Sequence, residues 1–164
     1  MPQEESTDFA AMLKAELPAL LLYARQWPHD SQEDVVQEAF ISLYRQHPPP
    51  ENVTAWLFAV VRNLSNKSLR SRNRRKTREI DFSHTTPAWF TPVRETDEEM
   101  QAVLEQLQRL PRQCCEIIVA KIWGKLTFEQ IAAVYGSSSS TVHRKYQTGI
   151  KILHKKLTEQ GLIP

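Results

Sequence analysis

The chain is short of the residues that punctuate, cross-link or metallate a fold. Four glycines among 164 residues leave little material for a phosphate-cradling loop. No stretch alternates apolar and polar residues as a half-buried strand does. The two cysteines, Cys114 and Cys115, are adjacent. Neighbours on a helix diverge by about 100°, so they suit neither a mutual bridge nor the chelation of one metal, and are expected to be reduced core residues. The five histidines (29, 47, 84, 143 and 154) stand at no chelating spacing with acids or cysteines. No metal and no cofactor is expected. Nucleophile–base pairings and clustered carboxylates are missing too, so the chain is not expected to be an enzyme. No apolar run approaches the roughly 20 residues of a membrane span. The opening MPQEESTDF is acidic and lacks a signal-peptide pattern. A cytoplasmic protein with no membrane segment is expected.

Two further absences are positional. From Arg62 to Arg78 there is no acid among eight cations, and from Gln130 to Thr158 there is again none. Net charge is only +2, but it is unevenly spread: residues 1–61 carry a net −6, residues 62–94 a net +7, and the remainder +1. Segments of opposite sign imply different partner surfaces, the basic ones suited to phosphate.

The expected fold is all-α, with two small helical domains over 5–77 and 96–160 and a linker over 78–95. Phe9, Met12 and Leu13 give Asp8 to Glu16 an apolar side. Pro18 fits the first turn of a second helix running to Trp27, where proline is tolerated. Ser31 and Asp34 read as a capping pair for a helix to about Gln46, ended by the prolines at 48–50. Its inward stripe is Val35, Val36, Ala39, Phe40 and Leu43. A long helix follows from about Thr54 to Thr77, apolar at first and strongly basic at its end. Trp56, its first large apolar residue, suits either the core or a stacking platform. Residues 78–95 lose periodicity yet hold Phe82, Trp89 and Phe90, more than a passive spacer needs. Thr96 to Glu99 resembles a capping box for the next helix, and Pro111 to Trp123 makes another, stopped by Gly124.

The last segment is the most informative. Thr127 and Gln130 have the form of a capping box. Ile131, Val134 and Tyr135 make a short apolar face, and Gly136 supplies a helix-closing positive φ. One of the serines at 137–140 caps the next helix, whose apolar positions Val142, Tyr146, Ile150, Leu153 and Leu157 recur at helical spacing. Arg144, Gln147, Lys151 and Lys155 project away from that stripe. A helix-turn-helix with a cationic outer face suits the DNA major groove. The 62–78 run also reads as a phosphate-binding surface. A helix dipole favours cations only in the last turn, which does not account for eight over 17 residues.

These parts, in this order, resemble bacterial RNA polymerase sigma factors of the extracytoplasmic-function type. DSQEDVVQEAFISLYRQ (30–46) is similar to the family's polymerase-binding helix. AWLFAVVRNLSNKSLRSRNRRK (55–76) resembles its promoter-melting helix. Residues 110–153 look like its upstream-element domain, with Thr141 and Val142 opening the recognition helix. The family usually has an acid where Lys67 stands and an aliphatic residue where Ser137 stands.

The resemblance implies a promoter-specificity subunit whose partners are core RNA polymerase and promoter DNA, with an anti-sigma factor as a further partner. Asp34, Gln37, Glu38, Ile41 and Arg45 would face the clamp coiled coil of the polymerase's largest subunit. Asn52, Val53 and Thr54, in the loop that captures flipped bases, would join Arg62, Asn63, Lys67, Arg70 and Arg74 on the downstream element. Ser139, Ser140, Thr141, His143, Arg144 and Gln147 would reach bases of the upstream element, and Lys151 and Lys155 its phosphates. The linker would thread toward the RNA exit path. The alternative is a stand-alone helix-turn-helix regulator, under which the 31–46 and 62–78 surfaces have no use. An enzyme acting on nucleic acid, such as a recombinase, lacks the residues its chemistry needs.

Overall fold

A computed structural model of the chain describes residues 2–27, 31–76 and 98–164. All the regular structure among them is helical: α1 (Pro2–Ala24), α2 (Gln32–Arg45), α3 (Val53–Lys76), α4 (Glu98–Gln108), α5 (Arg112–Ile122), α6 (Phe128–Tyr135) and α7 (Ser139–Glu159). Linker residues 78–95, with Phe82, Trp89 and Phe90, lie outside the described residues, as does Thr96 of the expected capping box.

The first helix departs from expectation. The sequence predicts a break at Pro18, but α1 runs through it unbroken. Pro18 removes one intrahelical donor, which leaves the carbonyl of Lys14 without its i+4 partner. Both residues are exposed, so water can reach that carbonyl. Directly after the proline, Ala19, Leu20, Tyr23 and Ala24 are all buried. Packing of that face outweighs the local penalty of about 3 kcal/mol.

Helices α1, α2 and α3 pack on one another. Ser31 caps α2 by accepting from the Asp34 N–H at 3.2 Å. The inward stripe is as the periodicity predicts, with Val36, Ala39 and Leu43 buried and Val35 and Phe40 packed against the core. Two polar ties bind α3 to the α1 segment: Trp27 Nε1 donates to Asn66 Oδ1 at 2.8 Å, and the Thr54 hydroxyl donates to Glu16 at 2.7 Å.

The second group forms around α5, in which every residue from Cys114 to Ala120 is buried. Both cysteines are free thiols, and burial pushes Cys115 up to about 12. Helix α7 packs on α5, α6 and α4. Gly149 permits the approach to α5: a Cβ there would stand 2.8 Å from Ile118 Cδ1 and 3.0 Å from Cys114 Cβ. The capping box at Thr127 and Gln130 is complete, with both reciprocal hydrogen bonds present. Gly136 is left-handed at φ 63°. The Ser137 N–H reaches back to the Ala132 carbonyl at 3.1 Å, so the helix-closing bond survives where the family favours an aliphatic residue. Ser138 is the serine that caps α7, accepting from the Thr141 N–H.

The two groups share one continuous core. Along their seam α1 packs on α5 and α3 on α6.

Candidate nucleic-acid interface

Three exposed helix faces carry the residues singled out from the sequence. On α2, Asp34, Gln37, Glu38, Ile41 and Arg45 are all exposed. Beside them stands a residue that sequence reasoning passed over: Tyr44 is 72% exposed, its ring meeting Phe9 edge-on at 5.9 Å. Ile41 and Tyr44 share one face, at i and i+3, so charged residues rim an apolar patch. That is the anatomy of a protein interface, an apolar centre within a polar edge. The signal for Tyr44 was available, since it falls outside the inward stripe.

On α3, Asn63, Lys67, Arg70 and Arg74 are exposed at spacings of 4, 3 and 4 residues, a single stripe along the helix. The Arg72, Arg75 and Lys76 side chains and the whole of Arg78 lie outside the described set. The preceding residues are more engaged. Asn52 Oδ1 accepts from the Ala55 N–H at 2.8 Å and so caps α3. Val53 and Thr54 are half-buried, and the Thr54 hydroxyl is held by Glu16. Trp56 is half-buried against the core.

On α7, Ser140, Arg144, Gln147, Lys151 and Lys155 follow one another along the exposed face at spacings of 4, 3, 4 and 4 residues. His143 flanks them, exposed, with its ring edge-on to Phe128 at 4.9 Å. Ser139 and Thr141 are half-buried, and the Thr141 hydroxyl lies 2.8 Å from that of Ser138. Lys155 has a surface partner in Glu159 at 3.9 Å, a contact worth well under about 1 kcal/mol. Helix α7 therefore offers polar and cationic side chains over about four turns, beginning at its N-terminus, the end that helix-turn-helix proteins present to base edges.

Arg62 stands apart from the other α3 cations. It turns off their stripe toward the seam, where its guanidinium lies 4.3 Å from the centre of the Tyr135 ring and its Nε 3.5 Å from a Glu116 carboxylate oxygen. Glu116 is 2% exposed. Its second oxygen faces Arg112 Nε at 3.5 Å, and the Tyr135 hydroxyl donates to the oxygen that faces Arg62. Burial raises the Glu116 carboxyl above the ordinary carboxylate range, against the opposing pull of Tyr135, Arg62 and Arg112. Burial likewise raises both tyrosines, Tyr23 and Tyr135. Glu116 was not among the residues chosen from sequence. A lone acid inside the apolar run CCEIIVA, four residues after an arginine, was the available signal.

Among the described residues, no group of three or more histidines, cysteines or carboxylates could hold a metal, and no helix is long and apolar enough to cross a membrane.

Comparison with known proteins agrees with this layout. The sigma-70 region 2 family model matches residues 12–75, which is the α1–α3 group less its first turns. Residues 12–75 thus carry a sigma-70 region 2. The ECF RNA polymerase sigma factor EcfG of Rhodopseudomonas palustris (strain TIE-1) is 27% identical over 116 residues, 69% of this chain and 64% of EcfG. The RNA polymerase sigma factor SigV of Bacillus subtilis (strain 168) is 24% identical over 136 residues, 81% of this chain and 80% of SigV. The sigma factor RpoE from Bartonella quintana, solved in complex with the anti-sigma factor NepR, has the same fold, with a TM-score of 0.70 over 92% of this chain and 97% of that one at 24% identity. The relatives in sequence and in fold are thus RNA polymerase sigma factors, one of them named as of the ECF type. The aligned part spans just under two thirds of EcfG.

Proposed function

We propose that the protein is a promoter-specificity subunit: it binds core RNA polymerase, directs it to particular promoters and starts their melting. The observation that carries this reading is the pair of separate cationic stripes, one on α3 inside the sigma-70 region 2 match and one on α7 at the end of a helix-turn-helix. A single-element regulator needs only the second.

In this reading residues 5–77 form the polymerase-binding and melting unit, 78–95 the linker and 96–160 the upstream-element unit. The α2 face of Asp34, Gln37, Glu38, Ile41 and Arg45, enlarged by Tyr44, docks on the polymerase clamp. Asn63, Lys67, Arg70 and Arg74 hold phosphate beside the melted segment. Asn52 presents its amide group to a flipped base while its oxygen caps α3. Ser140, Arg144 and Gln147 read base edges, flanked by Ser139, Thr141 and His143, with Lys151 and Lys155 on the phosphates. The protein catalyses nothing itself and works in the cytoplasm, where the polymerase is. An anti-sigma protein as a further partner is supported by the similarly folded RpoE, which was solved bound to NepR.

The test is run-off transcription with purified bacterial core polymerase over a promoter library. Initiation at a subset of promoters that needs this protein sustains the reading. Promoter binding that is equally strong and specific without polymerase, and no initiation with it, would establish the stand-alone regulator instead.

A further inference from the structure

The turn that follows α1 and the corner between α4 and α5 border an open cleft of about 260 Å³. Arg25 and Gln26 line it from the turn, and Gln108, Leu110, Arg112 and Cys115 from the corner. None of these residues belongs to the α2, α3 or α7 faces assigned to polymerase and DNA, so the function proposed above makes no use of the cleft. Its chemistry is one-sided. Two of the lining residues are arginines, two are primary amides, and none is an acid. The corner itself has no acid between Glu105 and Glu116.

The two arginines are placed differently. Arg25 is exposed, and among the described residues no carboxylate pairs with it. Arg112 is held in position, its Nε 3.5 Å from Glu116 Oε1 and its guanidinium 5.8 Å from the centre of the Trp27 ring. Glu116 is shared with Arg62 and Tyr135, and the Arg112 side chain stays 47% exposed. A guanidinium carries five N–H donors in a fixed fork, so Arg112 keeps donors for a further acceptor. It is also the first residue of α5, whose N-cap, Pro111, makes no side-chain capping bond. The positive end of an 11-residue helix therefore borders the same cleft, with no side chain on its leading N–H groups.

Gln26 adds an unmet demand. Among the described residues, neither Oε1 nor Nε2 of its buried amide has a hydrogen-bond partner. Leaving such a group unpaired costs stability, and folded proteins rarely do so. Because Gln26 lines the cleft, rotation about its side-chain bonds carries the amide from the wall into that space, and no helix has to move. The amide then asks for two things at once, a donor for its carbonyl and an acceptor for its NH2 group.

We infer that the cleft is a binding site for a small oxyanion metabolite, whose phosphate or carboxylate groups meet Arg25, Arg112 and the start of α5 while a hydroxyl meets the Gln26 amide. Guanidinium forks match both kinds of anion bidentately. A hydroxyl both donates and accepts, which is what the amide asks for. The cleft is smaller than the roughly 300–1,000 Å³ of drug-sized sites, which keeps the ligand to a few carbons and its charged groups. The inference stands whether or not the protein proves to be a promoter-specificity subunit.

The test is an NMR titration of the full-length protein with glycerol 3-phosphate, citrate and inorganic phosphate, following the side-chain N–H signals of Arg25, Gln26, Gln108 and Arg112. It is run at about 0.15 M salt, where attraction to the exposed cations of α3 and α7 is largely screened. Glycerol 3-phosphate or citrate should shift the cleft signals saturably, with a Kd below about 1 mM. The tighter of the two tells whether the ligand's anion is phosphate or carboxylate. Arg25→Gln, a change at an exposed residue, should weaken that binding about tenfold or more without altering the thermal midpoint. Gln26→Met keeps the shape and removes the unpaired amide. It should weaken binding to a similar degree while the midpoint without ligand stays the same or rises, since an unsatisfied buried group has been removed. Binding weaker than about 1 mM for all three probes would overturn the site, and so would shifts confined to the α3 and α7 stripes. A Gln26→Met variant with a lowered midpoint and unchanged affinity would show that the amide serves the fold, and inorganic phosphate bound as tightly as the hydroxyl-bearing probes would likewise overturn its part in the site.

Discussion

The hydroxyls of Tyr23 and Tyr135 lie 3.2 Å apart although 112 positions separate them in the chain. Tyr135 spends its proton on Glu116, so Tyr23 is the donor between the two tyrosines. The order of donors makes the two positions unequal. Tyr135→Phe strips a buried carboxylate of its hydroxyl donor and leaves the Tyr23 hydroxyl without an acceptor. Removing one partner of a buried polar pair costs about 1–3 kcal/mol. Tyr23→Phe removes only the outer link and should cost about 0.5–1.5 kcal/mol. Urea denaturation of both variants checks the ranking, and equal losses would show that the chain of donors has been assigned wrongly.

The same network sets a pH dependence. Tyr23, Arg62, Arg112 and Tyr135 face Glu116 from four helices, and Cys115 adjoins it. Burial is the largest influence and raises the Glu116 carboxyl. A carboxyl raised in the folded state binds more protons there than in the unfolded chain, so its contribution to stability is complete below the ordinary carboxylate pKa and is lost as pH rises through the raised value. Buried ion pairs commonly return less than their desolvation costs, which fits this direction. Glu116→Gln keeps an acceptor for Tyr135 and carries no charge. The stability of wild type relative to this variant should therefore fall as pH is raised from the acid range toward neutrality. A difference that grows in the opposite sense would show that the arginines, not burial, govern this group.

Within α7, Gly149 leaves no room for a side chain. Its missing Cβ lets α7 come close to α5: an added Cβ would stand 2.8 Å from Ile118 Cδ1 and 3.0 Å from Cys114 Cβ. Gly149→Ala gains helix propensity of about 1 kcal/mol, but overpacking a filled core costs about 1–3 kcal/mol. The net result should be a loss, and Gly149→Val should lose more because its extra methyl groups have nowhere to go. Thermal denaturation of both checks this; an alanine variant more stable than wild type would mean that α5 and α7 yield easily.

Much of this architecture was legible because helical periodicity and capping chemistry are local. Ser31, Thr127, Gly136 and the serines before α7 each announce an end that the structure keeps. Pro18 misled because a local breaker was outweighed by the buried face of Ala19, Leu20, Tyr23 and Ala24, a sum that only tertiary packing supplies. The outward stripes on α3 and α7 follow from spacing alone. Arg62 does not: one position off the α3 stripe, it reads as one more cation in a run, and its carboxylate partner is 54 residues away at Glu116. Long-range pairing of this kind leaves no periodic trace.

The exposed face of α2 separates docking from folding. Tyr44 is 72% exposed and Ile41 38%, so truncating either removes little core packing. In the proposed reading they form the apolar centre of the polymerase contact, with Glu38 on its rim. Tyr44→Ala should weaken binding to core polymerase by about 1–2 kcal/mol, the usual range for an aromatic residue at an interface centre, with the thermal midpoint unchanged. Glu38→Lys should weaken it as well, and more so at low salt. Binding measured by fluorescence anisotropy at two ionic strengths decides the matter, and unchanged affinity in both variants would place the polymerase contact elsewhere.

On α7, base-reading and phosphate-holding residues should differ in what their loss does. Arg144 sits in the second turn, close to the end presented to base edges, and Lys151 lies two turns further along the same exposed face. Arg144→Ala should cost about 1–3 kcal/mol at one base position and relax selectivity there. Lys151→Ala should weaken all promoters alike and lower the slope of log affinity against log salt by about 1. Promoter-library transcription read together with salt titration distinguishes the two effects. If the two variants change selectivity equally, the N-terminal half of α7 is not what reads the sequence, and the orientation assigned to this helix in the groove is wrong.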